Sequence, residues 1–291
     1  KHIVVSKPDV LILIDYPGFN LRIAKYVKKL NIPIYWFVAP QIWAWKKNRI
    51  KVLKHCINKL FVILPFELDY FSNKQIDTFY FGHPLIDFEN EMRTVDTRVG
   101  KPIIALMPGS REQEIKNMLP TMLTCIEKFT NYRFVVICAR NIRRSLYEQL
   151  ISNHNIELKF NKNILPICSA ALVASGTATL ELAILKVPQL VCYKLHFITY
   201  FIAKLLTRLK YISLVNILSK KKVVSELIQH DFNVQNIERE LSRILKEENR
   251  KRILTDYQNV ISTMGPPGCF KNTAKVIYSD LLGIISNTAS K

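Results

Sequence analysis

Short apolar runs alternate with longer amphipathic ones along the chain. Residues 10–15 form an apolar run closed by a carboxylate. Residues 19–30 follow, with Ile23, Ala24, Val27 and Leu30 at the spacing of one helix face. Residues 32–38 predict a strand, 49–56 a helix, and 60–64 and 78–81 two more strands, the last running into Gly82-His83-Pro84. The opening Lys1-His2 leads, on this reading, straight into a strand. Such alternation implies a parallel sheet covered by helices.

A polar stretch, residues 89–101, breaks the pattern and reads as a linker. A second series begins with residues 103–107 and a long helix whose apolar stripe runs through Ile115, Met118, Leu119, Met122, Leu123, Ile126 and Phe129. Strands are expected at 134–138, 156–160, 171–174 and 189–193. The last third reads as helical, around 223–228, 237–245 and 273–282. The expectation is an α/β protein of two doubly wound units facing a cleft: residues 1–95, residues 96–265, and a C-terminal helix over 266–291.

Composition narrows the classes. About half of the 291 residues are apolar, which excludes a disordered chain. A formal charge of +19 predicts attraction to phosphate-bearing partners, whether nucleic acid, an anionic bilayer or a phosphorylated substrate. The six cysteines are scattered, with no CxxC pair and no metal-ligand spacing, so a reduced, cytoplasmic protein is the economical reading. No signal peptide is read at the start. The longest apolar stretch, 197–206, is interrupted by Lys204 and falls short of the ~20 residues that span a bilayer. Its flanking His196, Arg208 and Lys210 keep open a helix lying in the membrane interface, against the plainer reading of an interior helix.

Three strand-to-helix corners rank first for chemistry, because open α/β sheets bind ligands beyond the carboxyl ends of their strands. At Pro108-Gly109-Ser110-Arg111, Gly109 allows a tight turn and Ser110 suits an N-cap. The helix start with Arg111 suits a phosphate; an ordinary capped turn with a solvated arginine is the equal alternative. At Ser175-Gly176-Thr177-Ala178-Thr179-Leu180-Glu181, small residues and successive N–H groups form an anion nest, and Glu181 lies one turn on, within reach of a ribose diol. An acidic residue there would also simply stabilise the helix start. Two phosphate-suited turns in one domain favour a nucleotide diphosphate. At Asp15-Tyr16-Pro17-Gly18-Phe19-Asn20, Asp15 could accept a proton from a sugar hydroxyl, or could merely begin a turn. His83 could assist chemistry, though a lone histidine is more often structural. Trp43, Trp45, Lys46, Lys47 and Arg49 join aromatics to a basic cluster, which suits an anionic bilayer, a lipid phosphate or single-stranded nucleic acid as well as a solvated helix face.

Taken in order, residues 15–20, Ala39-Pro40-Gln41-Ile42-Trp43-Ala44-Trp45, Leu106-Met107-Pro108-Gly109-Ser110-Arg111, residues 175–181 and Tyr211-Ile212-Ser213-Leu214-Val215-Asn216 resemble the lipid-A-disaccharide synthase family over essentially the whole chain. The resemblance implies the GT-B fold, two Rossmann-like units, and an inverting, metal-independent glycosyl transfer with no cofactor. The implied donor is UDP-2,3-diacylglucosamine and the acceptor 2,3-diacylglucosamine 1-phosphate, giving a β-1,6-linked disaccharide and UDP. By matching position Asp15 would be the general base; His83, at the end of the first unit's last strand, is read apart from the resemblance as a second candidate for catalysis. Gly109, Ser110, Arg111, Ser175, Gly176 and Thr177 would hold the pyrophosphate, and Glu181 and Asn216 would line the donor pocket. Trp43, Trp45, Lys46, Lys47 and Arg49 would face the acceptor and an anionic membrane surface on the inner face of the inner membrane. A homodimer is left open and nucleic acid is not expected. Two departures stand out. The family's glycine-rich loop of the type Gly-Glu-Ala-Ser-Gly-Asp should precede Lys1, so the first unit reads as N-terminally truncated. Gly18 stands where many relatives carry an acidic residue. The alternatives are another UDP-sugar enzyme of this fold, such as a peptidoglycan-precursor glycosyltransferase or an epimerase, and a non-enzymatic basic module.

Overall fold

The computed structural model describes residues 2–44, 47–89, 100–152, 154–194 and 210–289. Trp45, Lys46, the 197–206 stretch with His196 and Arg208, and most of the expected linker lie outside them. The chain forms two compact units, Lys1–Asp87 with Met264–Lys291, and Phe88–Thr263.

The first unit is built on four parallel strands, β1 (Leu11–Ile14), β2 (Ile34–Phe37), β3 (Lys59–Val62) and β4 (Thr78–Tyr80), in the order β1-β2-β3-β4. Side chains alternate faces along a strand. Ile34, Trp36, Leu60 and Val62 therefore share one core with Ala24, Val27, Leu53 and Phe71 of the covering helices. Tyr35, Phe37 and Phe61 point to the other face, where Cys269 and Ile277 of the last helix, Cys269–Ala289, cover them. Asp87 receives the N–H groups of Cys269 at 3.3 Å and Phe270 at 3.1 Å, and that of Gly268 as well, capping this helix from a residue far away in sequence. The helix is thus part of the first unit. At the chain's start the expected strand is a short helix, His2–Ser6, because among the described residues β1 pairs only with β2 and no ladder partner holds the preceding β-branched run extended.

The second unit has six parallel strands: β5 (Ile103–Met107), β6 (Arg133–Ile137), β7 (Glu157–Lys159), β8 (Cys168–Ala174), β9 (Gln189–Tyr193) and β10 (Ser225–Ile228). Their order is β10-β9-β8-β5-β6-β7. The helix Glu112–Leu123 buries Ile115, Met118, Leu119, Met122 and Leu123, as its stripe predicts, and ends earlier than expected. Ile126–Lys128 is a 3₁₀ turn whose three-residue period keeps Phe129 buried without continuing the α-helix. Residues 223–228, expected as helix, instead contain β10. The apolar run is too short for its period to decide, and the free edge of β9, with which Ser225–Ile228 pairs in parallel, settles it. Among the described residues no helix is long and apolar enough to cross a membrane.

Candidate active site

The chain winds outward from β5 through β6 to β7, then returns to lay β8 on β5's other side. The order of winding therefore reverses between the parallel strands β5 and β8, and the loops leaving these two strands flank the crevice where doubly wound sheets bind ligands. Those loops are Pro108–Arg111 and Ser175–Thr177.

At the first corner Gly109 has φ +118°, a conformation that residues with a side chain rarely adopt, and Oε2 of Glu114 lies 2.6 Å from where a Cβ would stand. Ser110, expected as the N-cap, does not cap the helix. The N-cap is Arg111, extended at φ −119°, and no side chain caps from that position. Glu114, in the helix's first turn, reaches back instead. It accepts the Ser110 N–H at 3.2 Å on Oε2 and Arg111 Nη1 at 2.7 Å on Oε1. The carboxylate ties the corner's backbone and the Arg111 side chain to the helix's first turn and adds favourable charge there, which a serine hydroxyl cannot. The Arg111 side chain is 80% exposed.

The second corner is pinned from both sides. The Ser175 hydroxyl donates to the carbonyl of Ile212 at 2.9 Å, and its N–H to that of Cys192 at 3.2 Å. Gly176 and Thr177 stand exposed, while Leu180, Leu182 and Ala183 of the helix Ala178–Ile184 anchor the turn in the core. Glu181 is largely buried and pairs with Lys162 Nζ at 2.5 Å.

Both corners line one cavity of about 740 Å³, to which Gly109, Ser110, Arg111, Ser175, Gly176, Thr177 and Glu181 all contribute. Sequence reasoning missed Glu114, Arg140 and Lys162, which line it too. A signal existed for two of them: Arg140 and Lys162 each stand three residues beyond the ends of β6 and β7, at the same carboxyl edge of the sheet that singled out the other corners. Three cations face two carboxylates here, and the balance of one positive charge favours an anion.

Asn216, expected in this pocket, is not among its lining residues. It is fully buried. Its amide donates to Val224 O at 2.9 Å and Glu226 Oε1 at 2.8 Å, and accepts from the N–H groups of Val223 and Val224 at 2.8 and 3.0 Å. Glu226 in turn receives the N–H groups of Ile212 and Ser213. The Tyr211–Asn216 motif thus ties β10 to the loop that holds Ser175, one step behind the cavity.

In the first unit, Asp15 is exposed at the end of β1. Both Asp15 (φ 45°) and Tyr16 (φ 44°) are left-handed, a strained conformation for two residues with side chains. The buried Asn20 holds it, donating its amide to the carbonyls of Ile14 at 3.0 Å and Asp15 at 2.6 Å. His83 is 2% exposed. Its Nδ1 accepts the Leu85 N–H at 3.1 Å, so the proton sits on Nε2, which has no hydrogen-bond partner. Burial lowers its pKa to about 4, so at neutral pH it is uncharged and is no ready acid. Trp43 is only half available to a surface partner: its indole N–H donates to Glu67 Oε1 at 2.8 Å and its ring meets Phe66 edge-on. Glu67 is buried, and desolvation lifts its carboxyl to about 7 against the hydrogen bonds from Trp43, Leu64 and Ile63. Lys47 is exposed and Arg49 half-buried.

The lipid-A-disaccharide synthetase family model matches residues 1–275. A lipid-A-disaccharide synthase of Legionella pneumophila is 38% identical over 268 residues, covering 87% of this chain and 70% of its own length. One of Coxiella burnetii is 34% identical, with 94% of this chain and 76% of its own length covered. Among solved structures, the UDP-GlcNAc 2-epimerase of Neisseria meningitidis bound to UDP-GlcNAc aligns at TM-score 0.65 and 15% identity, over 96% of this chain and 78% of that one. The spinosyn rhamnosyltransferase complexed with thymidine diphosphate aligns at 0.62 and 14%, over 94% and 75%. At such identities the structures share the fold alone.

Proposed function

The chain belongs to the lipid-A-disaccharide synthetase family, and on that premise we propose that it transfers 2,3-diacylglucosamine from its UDP carrier to 2,3-diacylglucosamine 1-phosphate, releasing UDP. The observation that carries this reading is the meeting of the β5 and β8 corners in one cationic cavity. Arg111 and the N–H groups of residues 175–177 hold the diphosphate, and Glu181 accepts from the ribose hydroxyls. The acceptor's 6-hydroxyl attacks the anomeric carbon from the face opposite UDP, which inverts that centre. Its proton passes to the Asp15 carboxylate. The bond to UDP breaks, and the charge left on the β-phosphate is neutralised by Arg111 and the helix starts, as fixed donors do for developing oxyanions. Asp15 is supported as the base by its exposed position in a strained strand-end turn. Because both substrates carry acyl chains, the enzyme works as a peripheral protein at the inner surface of the inner membrane, drawn there by its positive charge.

Formation of labelled disaccharide from the two acyl-sugars tests the reading. Arg111→Ala and Asp15→Asn should each lower kcat/KM by roughly a hundredfold or more. Normal rates in both variants, or turnover of the UDP-sugar without a lipid acceptor, would overturn it.

A further inference from the structure

We propose that Glu114 is a resident counter-anion of the diphosphate site, holding the contacts that a phosphate of the ligand takes over. Three features of the first corner point to this role. Glu114 places one carboxylate oxygen on the Ser110 N–H and the other on Arg111 Nη1, donors of two residues that line the cavity. The carboxylate also lies against the corner's backbone, with Glu114 Oε2 2.6 Å from where a Cβ of residue 109 would stand. Glu114 also lines the cavity itself, with its side chain 26% exposed, so it can leave its donors by rotating toward solvent.

Two effects of Glu114 on the ligand oppose each other. Its ion pair keeps Arg111, otherwise long and solvated, at the helix start, which reduces the ordering cost when a phosphate arrives. Its charge competes for the same donors and repels the incoming anion. An ion pair this exposed contributes little ordering. Repulsion between a carboxylate and a multiply charged diphosphate sharing one set of donors is the larger effect. Glu114 is therefore a positioning residue whose net action is to weaken diphosphate binding and so speed UDP release.

The inference rests on the UDP reading of the cavity, and calorimetric titration with UDP and with uridine separates the two. Glu114→Gln should bind UDP roughly two- to fivefold more tightly than the parent chain, the scale of one partly exposed charge contact, while uridine affinity stays unchanged. Glu114→Ala, which removes the same charge without adding an amide, should do likewise; thermal melts establish that each variant is folded. In steady state the donor KM should fall with no gain in kcat, whereas a purely structural role would raise KM. If the parent binds UDP and both folded variants bind it equally or more weakly, Glu114 is no competitor and the inference fails alone. If the parent binds no UDP, the functional reading fails with it.

Discussion

Two buried groups of the first unit, Glu67 and His83, titrate against each other. Burial lifts Glu67 from 4.5 to about 7, so its stabilising contribution is full below 4.5 and is lost as pH rises through 7. Burial lowers His83 from 6.5 to about 4, so its contribution is full above 6.5 and is lost as pH falls through 4. Each shift is on the order of 3 kcal/mol, and over the shared window the two slopes nearly cancel. His83→Gln should therefore expose a stability that declines from about pH 4.5 to 7, and Glu67→Gln one that rises from about pH 4 to 6.5, in urea unfolding at stepped pH. Parallel profiles in the two variants would contradict the burial argument. Sequence marked His83 as a residue of interest but could not reveal its burial, and it gave no hint of Glu67. A glutamate five residues after a strand looks solvated until the fold brings Trp43 to it.

At the level of elements, the strand-to-helix corners were legible because glycine, serine and an apolar run in that order have few alternatives. The 223–228 run was not, since only the waiting edge of β9 makes it a strand. Asn216 depends on that strand: its four hydrogen bonds join the helix Leu214–Ser219 to Glu226 of β10 and to Val223 and Val224 just before it. Asn216→Ala would leave buried backbone groups at Val223 and Val224 unpaired and should cost about 2–4 kcal/mol, read as a drop in Tm. Because its side chain does not line the cavity, UDP affinity in that variant should change less than about threefold, against a far larger loss in Arg111→Ala. An equal loss in both variants would place Asn216 at the ligand after all.

For the whole molecule, charge is distributed unevenly. From Tyr16 to Phe66 the chain carries ten basic residues and no acidic one. Arg22, Lys25, Lys29, Lys51 and Lys54 of this stretch are exposed, beside the exposed Tyr26. The chain should sediment with vesicles containing anionic lipid at about 0.1 M salt and detach by about 0.5 M, since screening shortens with ionic strength, and should ignore zwitterionic vesicles throughout. Binding that persists in high salt would mean that apolar insertion dominates. The sequence by itself determined the α/β class, the two corners and the family, because alternating hydrophobicity and tight-turn chemistry are local properties. The tertiary structure alone decided that β8 lies against β5, so that residues some seventy positions apart share one cavity, and that Glu114 rather than Ser110 satisfies the first corner. Strand order and side-chain reach depend on which surfaces meet, and no local pattern encodes that.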